Sequence, residues 1–167
     1  TDQMALAGSG CPTGQMGTSA DFDTEKNVLD IGFSRYQLVL SVNGSPVARK
    51  SCGLVIPIEV PAGKRLVISQ LDMSAKFEMA ARTTGKITSE AFLAGDVGSL
   101  QDKTVDSNDS PLLGRILQRR TDVLRTPCGG SANLRLNTSA QLTQQGADSS
   151  LFEVDHIVAS FKVESCN

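Results

Sequence analysis

Four cysteines are the side chains of this sequence that can form covalent links: Cys11, Cys52, Cys128 and Cys166. Zinc ligands usually come in closely spaced pairs. No such pair occurs here, and the single histidine, His156, lies far along the chain from three of the cysteines. We therefore predict no metal site and no cofactor. Widely spaced cysteines in even number predict two disulfides in an oxidising compartment, with four buried thiols in a cytosolic protein as the alternative.

Each cysteine lies at the end of a predicted strand, where a bridge can pin a terminal segment. Four cysteines allow three pairings, and the sequence alone does not choose among them. We favour Cys11–Cys52 together with Cys128–Cys166. Each of these bridges closes a loop of about 40 residues, for which chain entropy predicts roughly 4 kcal/mol of stabilisation.

Four arginines close together in the sequence are a possible anion-binding site: Arg115, Arg119, Arg120 and Arg125. Guanidinium groups match the paired oxygens of carboxylate and sulfate groups. The basic dipeptides at 49–50 and 64–65 are candidates to lie beside them. The alternative interpretation is a solvated strand face that binds nothing.

Candidate catalytic residues are few. Asp155 precedes His156, but neighbouring residues on a strand point to opposite faces, and no serine lies in a nucleophile-elbow motif. No pair of carboxylates stands out among the 18 acidic residues. We predict no catalytic residue, with a polysaccharide hydrolase that uses paired carboxylates as the alternative.

Length and composition limit the class of protein. A chain of 167 residues that is 40% hydrophobic and 20% charged fits one folded domain over residues 1–167. A net charge of −2 and a scarcity of aromatic residues argue against a nucleic-acid partner. No stretch reaches the roughly 20 apolar residues of a transmembrane helix. Together with the cysteines, these features predict a secreted or periplasmic protein.

Alternating apolar and polar residues predict strands along most of the chain. The segment 35–42 alternates and is followed by Asn43-Gly44, a strong hairpin signal. A second strand covers 52–60, where Pro57 favours a sheet edge or a bulge. The pattern over 66–81 predicts one long bent strand or two strands joined by a kink. About eight such strands predict an all-β fold, an antiparallel sandwich.

The segment 95–114 lacks this alternation and is rich in Asp, Ser and Gly, so we predict a long surface loop there. The segment "SPLLGRILQRR" (110–120), which begins inside this stretch, could open a helix with Ser110 as its N-cap and Pro111 at its first position. A strand across 115–124 is the alternative, which we favour because the surrounding pattern is all β.

Four segments carry a resemblance to a known family: "GSGCPTG" (8–14), "ARKSCGLVIPIEVPAG" (48–63), "TPCGGSANLRLNTSAQL" (126–142) and "VDHIVASFKVESC" (154–166). In this order they resemble small secreted four-cysteine proteins of bacteria and fungi that are grouped as a domain of unknown function. The resemblance implies a secreted, β-rich domain and brings no catalytic residue. Where a Trp often precedes the Pro-Cys-Gly in that family, this chain has Arg125-Thr126.

These features favour a non-catalytic secreted or periplasmic protein that binds an envelope or extracellular partner, either a polysaccharide or a protein. A third alternative, beside the hydrolase, is a secreted protease inhibitor that presents the segment 95–114 as an exposed loop. The sequence does not choose the ligand or the oligomeric state.

Overall fold

The computed structural model describes residues 4–12 and 17–166, and within these ranges it contains twelve β-strands and no helix. The strands are β1 (Ala5–Ala7), β2 (Thr18–Asp23), β3 (Val28–Phe33), β4 (Gln37–Leu40), β5 (Val47–Val60), β6 (Lys64–Met79), β7 (Thr83–Leu93), β8 (Ser99–Asp106), β9 (Leu112–Arg120), β10 (Leu124–Arg125), β11 (Gly130–Gln144) and β12 (Ser150–Ser165). The prediction of about eight strands was too low, because short strands such as β1 and β10 carry too few residues to show alternation. No helix in the described ranges is long and apolar enough to cross a membrane.

Two antiparallel sheets pack face to face, which confirms the predicted sandwich. The first sheet has the strand order β1-β5-β11-β7-β8. The second has the order β10-β6-β12-β3-β2, with β4 also paired to β12 and β9 also paired to β6. We call the solvent-facing sides of these sheets the first face and the second face.

The core forms between the sheets because alternate residues of each strand point inward. Phe77 and Phe152 stack with ring centroids 6.1 Å apart, and the ring of Phe33 lies edge-on to Tyr36 at 5.5 Å. The Tyr36 side chain is fully buried, and its hydroxyl lies 3.3 Å from the Thr138 hydroxyl oxygen. This burial raises the pKa of Tyr36 to about 12.

The long alternating pattern over 66–81 forms one strand, β6, rather than two. Its pairing with β12 shifts register between Val154 and His156 and again between Ser160 and Phe161. Such bulges bend a long strand while it remains paired. Pro57 lies in β5 opposite Asn133 of β11, and among the described residues no strand pairs with it on its other side, which agrees with the predicted edge position.

The hairpin predicted at Asn43-Gly44 was wrong. The turn forms, with Asn43 at a φ of 56° and the Gly44 amide donating to the Ser41 carbonyl oxygen at 2.9 Å. However, the strands on either side belong to different sheets, since β4 pairs with β12 and β5 pairs with β11. Turn residues specify the local change of direction, whereas the partner of each strand depends on distant sequence.

The long loop predicted over 95–114 was also wrong. It contains β8 and the start of β9, which pair with β7 and β6. Most β8 side chains are exposed, because β8 is an edge strand and its sequence therefore has no apolar alternation. The favoured strand after Pro111 is confirmed as β9.

Two disulfides form, Cys11–Cys52 and Cys128–Cys166, with Cα atoms 5.4 and 6.2 Å apart. This is the pairing favoured from the sequence. Cys128 and Cys166 flank β11 and β12, so their bridge ties one sheet to the other. Cys52 lies inside β5 rather than at its start, and it holds the segment before β2 against that strand.

Candidate functional site

The four predicted anion-binding arginines do not form one site. Arg115 and Arg119 are exposed on the second face, since alternate β9 residues point outward. Arg120 points inward and is 2% exposed. Arg125 is exposed on β10, opposite Val67 of β6.

The two outward-facing arginines already bind carboxylates of neighbouring strands. Arg119 donates from Nε and Nη2 to the two oxygens of Asp72, at 2.9 and 2.8 Å. Arg115 pairs with Asp155, which also accepts a hydrogen bond of 2.7 Å from the Ser74 hydroxyl. Each of these two guanidinium charges is therefore already matched by a carboxylate of the same sheet, which weakens its attraction for an external anion.

Arg120 is a buried structural residue that joins the two sheets at the edge formed by β8 and β9. Its Nη1 donates to the carbonyl oxygens of Ser89 and Ser99 at 2.7 and 2.8 Å. Its Nη2 donates to the Ser99 hydroxyl oxygen and to Asp122 at 3.0 and 2.6 Å. Buried cations are stable only when their donors are satisfied in this way.

The second face also carries the candidate catalytic groups. His156 is exposed, with Nδ1 2.8 Å from Oδ1 of Asp30, while Asp155 contacts Arg115 instead. Glu153 lies 3.4 Å from the ammonium of Lys76. Asp155 and Glu153 thus face cations of neighbouring strands, and Asp30 contacts the His156 ring, so these contacts link adjacent strands of the sheet.

A different set of residues lines a concavity of about 350 Å³ on the first face, which we call the basic groove. Its outward-facing cations are Arg49 and Lys86, and its hydroxyl and amide side chains are Ser9, Ser51, Thr88, Ser139 and Gln141. Lys50 also borders the groove, but its side chain points to the other side of β5, like that of its strand partner Ala140, which is 2% exposed. No carboxylate and no aromatic ring belongs to this lining in the part of the chain that the structure describes.

Strand register creates the basic groove. Gln141 of β11 lies opposite Arg49 of β5 on one side and Lys86 of β7 on the other, forming a cationic row across three strands. Two residues along, Ser139 lies between Ser51 and Thr88 in a row of hydroxyl groups. Paired strands are about 4.8 Å apart and residues of one face about 7 Å apart along a strand, so the two rows form a small lattice of donors.

The cations of the basic groove differ in how far they are neutralised. Nη2 of Arg49 donates to the Gln141 side-chain oxygen at 2.7 Å, and Nζ of Lys50 donates to the Arg35 carbonyl oxygen at 2.9 Å. Gln141 is uncharged, and within the described residues Arg49 forms no ion pair, whereas the Lys50 side chain lies on the other side of β5 from the groove. Lys86 shares its charge with Asp102 at 2.9 Å, and this ammonium, followed by the Thr88 hydroxyl, lowers the pKa of Asp102.

The first disulfide holds one wall of the basic groove in place. The Ser9 hydroxyl oxygen accepts a hydrogen bond from the Ser51 amide at 3.2 Å, and the Gly10 amide donates to the Ser51 carbonyl oxygen at 2.8 Å. Cys11, one residue further, is bonded to Cys52. The bridge therefore positions Ser9 as well as stabilising the fold.

The sequence predicted only part of this groove. It singled out the basic pair Arg49-Lys50, shortly before Cys52, but as a neighbour of the four arginines between 115 and 125. Lys86 and Gln141 carried no signal, because their approach to Arg49 depends on pairing between distant strands. The protease-inhibitor hypothesis required an exposed loop over 95–114, but this segment forms β8 and the start of β9.

A family model places the chain among known sequences. The model of a domain of unknown function, DUF4360, matches residues 1–166, and the chain belongs to this family. This confirms the resemblance found in the sequence. Among curated proteins, none matches the chain.

Several solved structures match the chain at low sequence identity and low TM-score. TmCBM61 in complex with β-1,4-galactotriose is 12% identical, with a TM-score of 0.34, covering 98% of this chain and 89% of that one. The mannan-recognising module TmCBM27 is 10% identical, with a TM-score of 0.40 and coverage of 94% and 88%. A human norovirus particle protein is 14% identical, with a TM-score of 0.37 and coverage of 77% and 31%. These likenesses do not identify a ligand, so the geometry of the basic groove must carry the functional argument.

Proposed function

We propose that this DUF4360 protein is an exported, non-catalytic protein that binds an acidic polysaccharide of the cell envelope or its surroundings through the basic groove. The observation that carries the proposal is the lining of this groove. Two outward-facing cations, Arg49 and Lys86, and five hydroxyl or amide side chains line it, and no carboxylate belongs to the described lining.

The chemistry of the lining matches a polymer that carries both hydroxyl and acidic groups. Arg49 offers a charged donor whose present partner is the neutral side-chain oxygen of Gln141, which an external carboxylate or sulfate can replace. Ser139 and Thr88 can exchange hydrogen bonds with sugar hydroxyl groups. Each exposed ion pair contributes only about 0.2–1 kcal/mol, but a polymer that engages several sites gains from multivalency.

The disulfides support export. Disulfides persist in secreted and periplasmic proteins and are rare in the cytosol. Both bridges here close long loops, which is typical of structural rather than redox-active cystines. An extracellular protein whose groove presents the Arg49 guanidinium without a carboxylate partner among the described residues would meet acidic polysaccharides directly.

Matched polymers test the proposal. The oxidised protein should be retained on immobilised dextran sulfate and on polygalacturonate, and raising the salt concentration should release it. Uncharged dextran and fully methyl-esterified polygalacturonate should retain little, since each keeps the backbone without the charge. Salt-insensitive retention on the neutral polymers, or no retention on either acidic polymer, would refute the proposal and favour a protein partner.

Variants locate the binding site. Arg49→Ala with Lys86→Ala should weaken polymer binding roughly tenfold, because two exposed charge contacts are lost and Asp102 is left unpaired. Arg115→Ala with Arg119→Ala removes the same number of positive charges from the second face and should leave binding within about twofold. Equal loss in both double variants would show that net charge, and not the basic groove, governs retention.

A further inference from the structure

The central strand of the first sheet, β11, carries polar side chains along the side that faces solvent. Alternate residues of a strand point to the same face, and the outward positions here are Asn133, Arg135, Asn137, Ser139 and Gln141. No acidic residue occurs between positions 131 and 143. We call the outward side of residues 133–141 the polar stripe. The basic groove covers one end of this stripe, at Ser139 and Gln141.

The other end of the polar stripe carries a cation of its own. Arg135 is exposed and lies between Val55 of β5 and Phe92 of β7, its partners in the two neighbouring strands. Both partners are uncharged and partly exposed, so apolar side chains flank the guanidinium on two sides. Among the residues that the structure describes, Arg135 forms no ion pair. We call Arg135, Val55 and Phe92 the arginine subsite.

The path along β11 from the basic groove to the arginine subsite is long and partly open. At the rise of a strand, Arg135 lies about 20 Å from Gln141. Asn137 lies between them, and its partner in β5 is Gly53, which has no side chain. A Cβ atom at Gly53 would lie 3.5 Å from Oδ1 of Asn137, so the glycine leaves this amide uncovered on that side.

A carboxylate borders the middle of this path. Glu90 of β7 lies opposite Asn137 and accepts a hydrogen bond from its Nδ2 at 2.9 Å. Like charges side by side are unfavourable, so an acid group of a ligand is disfavoured there. The side-chain oxygen of Asn137 can instead accept a hydrogen bond from a sugar hydroxyl group. The two ends of the path therefore attract acid groups, and its middle suits hydroxyl groups.

We infer that the arginine subsite is a second contact point for the acidic polysaccharide, whose chain runs along β11 from the basic groove to Arg135. The inference rests on the proposed function and deepens it, because it requires a linear polymer with acid groups spread over about 20 Å. The guanidinium of Arg135 would bind one acid group. The C–H groups of the same sugar would cover Phe92 and Val55, which removes apolar area from water.

Oligogalacturonates of three and nine residues test the inference in calorimetric titrations. The trimer is too short to reach from the basic groove to Arg135, whereas the nonamer is longer than this distance. Arg135→Ala should weaken nonamer binding about fivefold, the upper value for one exposed ion pair, and change trimer binding by less than about twofold. Arg125→Ala removes an exposed arginine from the second sheet and should change neither affinity.

A gain of affinity provides a test that misfolding cannot imitate. Glu90→Gln keeps a side-chain oxygen for Asn137 and removes the negative charge, so it should strengthen nonamer binding about twofold to threefold. Glu78→Gln removes the same charge from the second face and should leave nonamer binding unchanged. Circular dichroism checks that each variant is folded.

The outcomes separate this inference from the proposed function. If Arg135→Ala leaves nonamer affinity unchanged while Arg49→Ala with Lys86→Ala lowers it, the inference fails and the proposed function stands. Equal weakening of trimer and nonamer by Arg135→Ala, or no gain in Glu90→Gln, would also overturn the inference, because the chain would then not run along β11. Absence of binding by both oligomers would refute the proposed function and the inference together.

Discussion

Both outer faces of the sandwich carry arginines, but the side chains that these arginines contact differ in charge. On the second face, Arg119 donates to both oxygens of Asp72, and Arg115 pairs with Asp155. On the first face, Arg49 contacts the uncharged side chain of Gln141. A guanidinium is available to a ligand only when the strand beside it supplies a neutral partner. Strand register therefore decides whether an arginine of this sandwich faces a carboxylate or an uncharged side chain.

The largest expected effect comes from the disulfide beside the first face. Replacing Cys11 and Cys52 with alanine should lower the free energy of unfolding by about 4 kcal/mol, because the closed loop spans a sequence separation of 41. It should also weaken polysaccharide binding at temperatures where the variant is folded, since Ser9 is no longer held at the groove. Chemical denaturation and polymer retention measure the two effects.

The second disulfide provides the matched control for that variant. Alanines at Cys128 and Cys166 should give a similar loss of stability, as the sequence separation is 38. Polymer retention by the folded protein should be unchanged. If both double variants lost retention equally, the basic groove would have no special dependence on the first bridge.

The next largest effect is expected at Arg120, which belongs to neither face. Arg120→Met should lower the free energy of unfolding by about 3 kcal/mol, because it removes the Arg120 donor from the buried carbonyl oxygen of Ser89 and from the partly buried one of Ser99. Urea denaturation measures this loss. Arg125→Met, at an exposed position, should change stability by at most about 0.5 kcal/mol. Equal effects at the two positions would contradict a structural role for Arg120.

High pH should lower the free energy of unfolding, because the buried side chain of Tyr36 must then ionise. Unfolded tyrosine ionises near pH 10, whereas burial raises the pKa of Tyr36 to about 12. Between these values the unfolded state loses its proton first, so stability is complete below pH 10 and falls by up to about 3 kcal/mol as pH approaches 12. Tyr36 is the single tyrosine and the chain has no tryptophan, so ultraviolet absorbance reports its ionisation directly.

A variant isolates this contribution from other groups that titrate in alkali. The stability of Tyr36→Phe, measured by denaturation from pH 9 to 12, should lack the part of the decline that Tyr36 causes. Parallel pH profiles for the two proteins would show that Tyr36 ionises freely in the folded state.

The smallest effect is expected on the second face. Arg119→Ala should lower the free energy of unfolding by less than about 1 kcal/mol, because its ion pair with Asp72 is exposed to solvent. High salt should reduce the difference further. Thermal denaturation at low and high ionic strength measures it. A loss approaching that of Arg120→Met would contradict the contrast between surface and buried arginines.

Much of the fold could be predicted because its strands have one buried and one exposed side. Alternation identified β6 as a long strand, and Pro57 marked an edge, because both signals arise from local chemistry. β8 was missed for the complementary reason: it is an exposed edge strand whose side chains need not alternate. The turn at Asn43-Gly44 was found, but the partners of the adjoining strands were not.

The sequence by itself determined an all-β, disulfide-stabilised domain of this family, since periodicity, cysteine spacing and motif order are properties of the chain alone. Only the tertiary structure decided which basic residues are available to a ligand. Arg49 and Gln141 are 92 positions apart in sequence and meet through the register of β5 with β11. Arg119 and Asp72 are separated by 47 positions and meet through the register of β9 with β6. A one-residue change of register would turn these side chains to the other side of the sheet, which is why local sequence could not assign their roles.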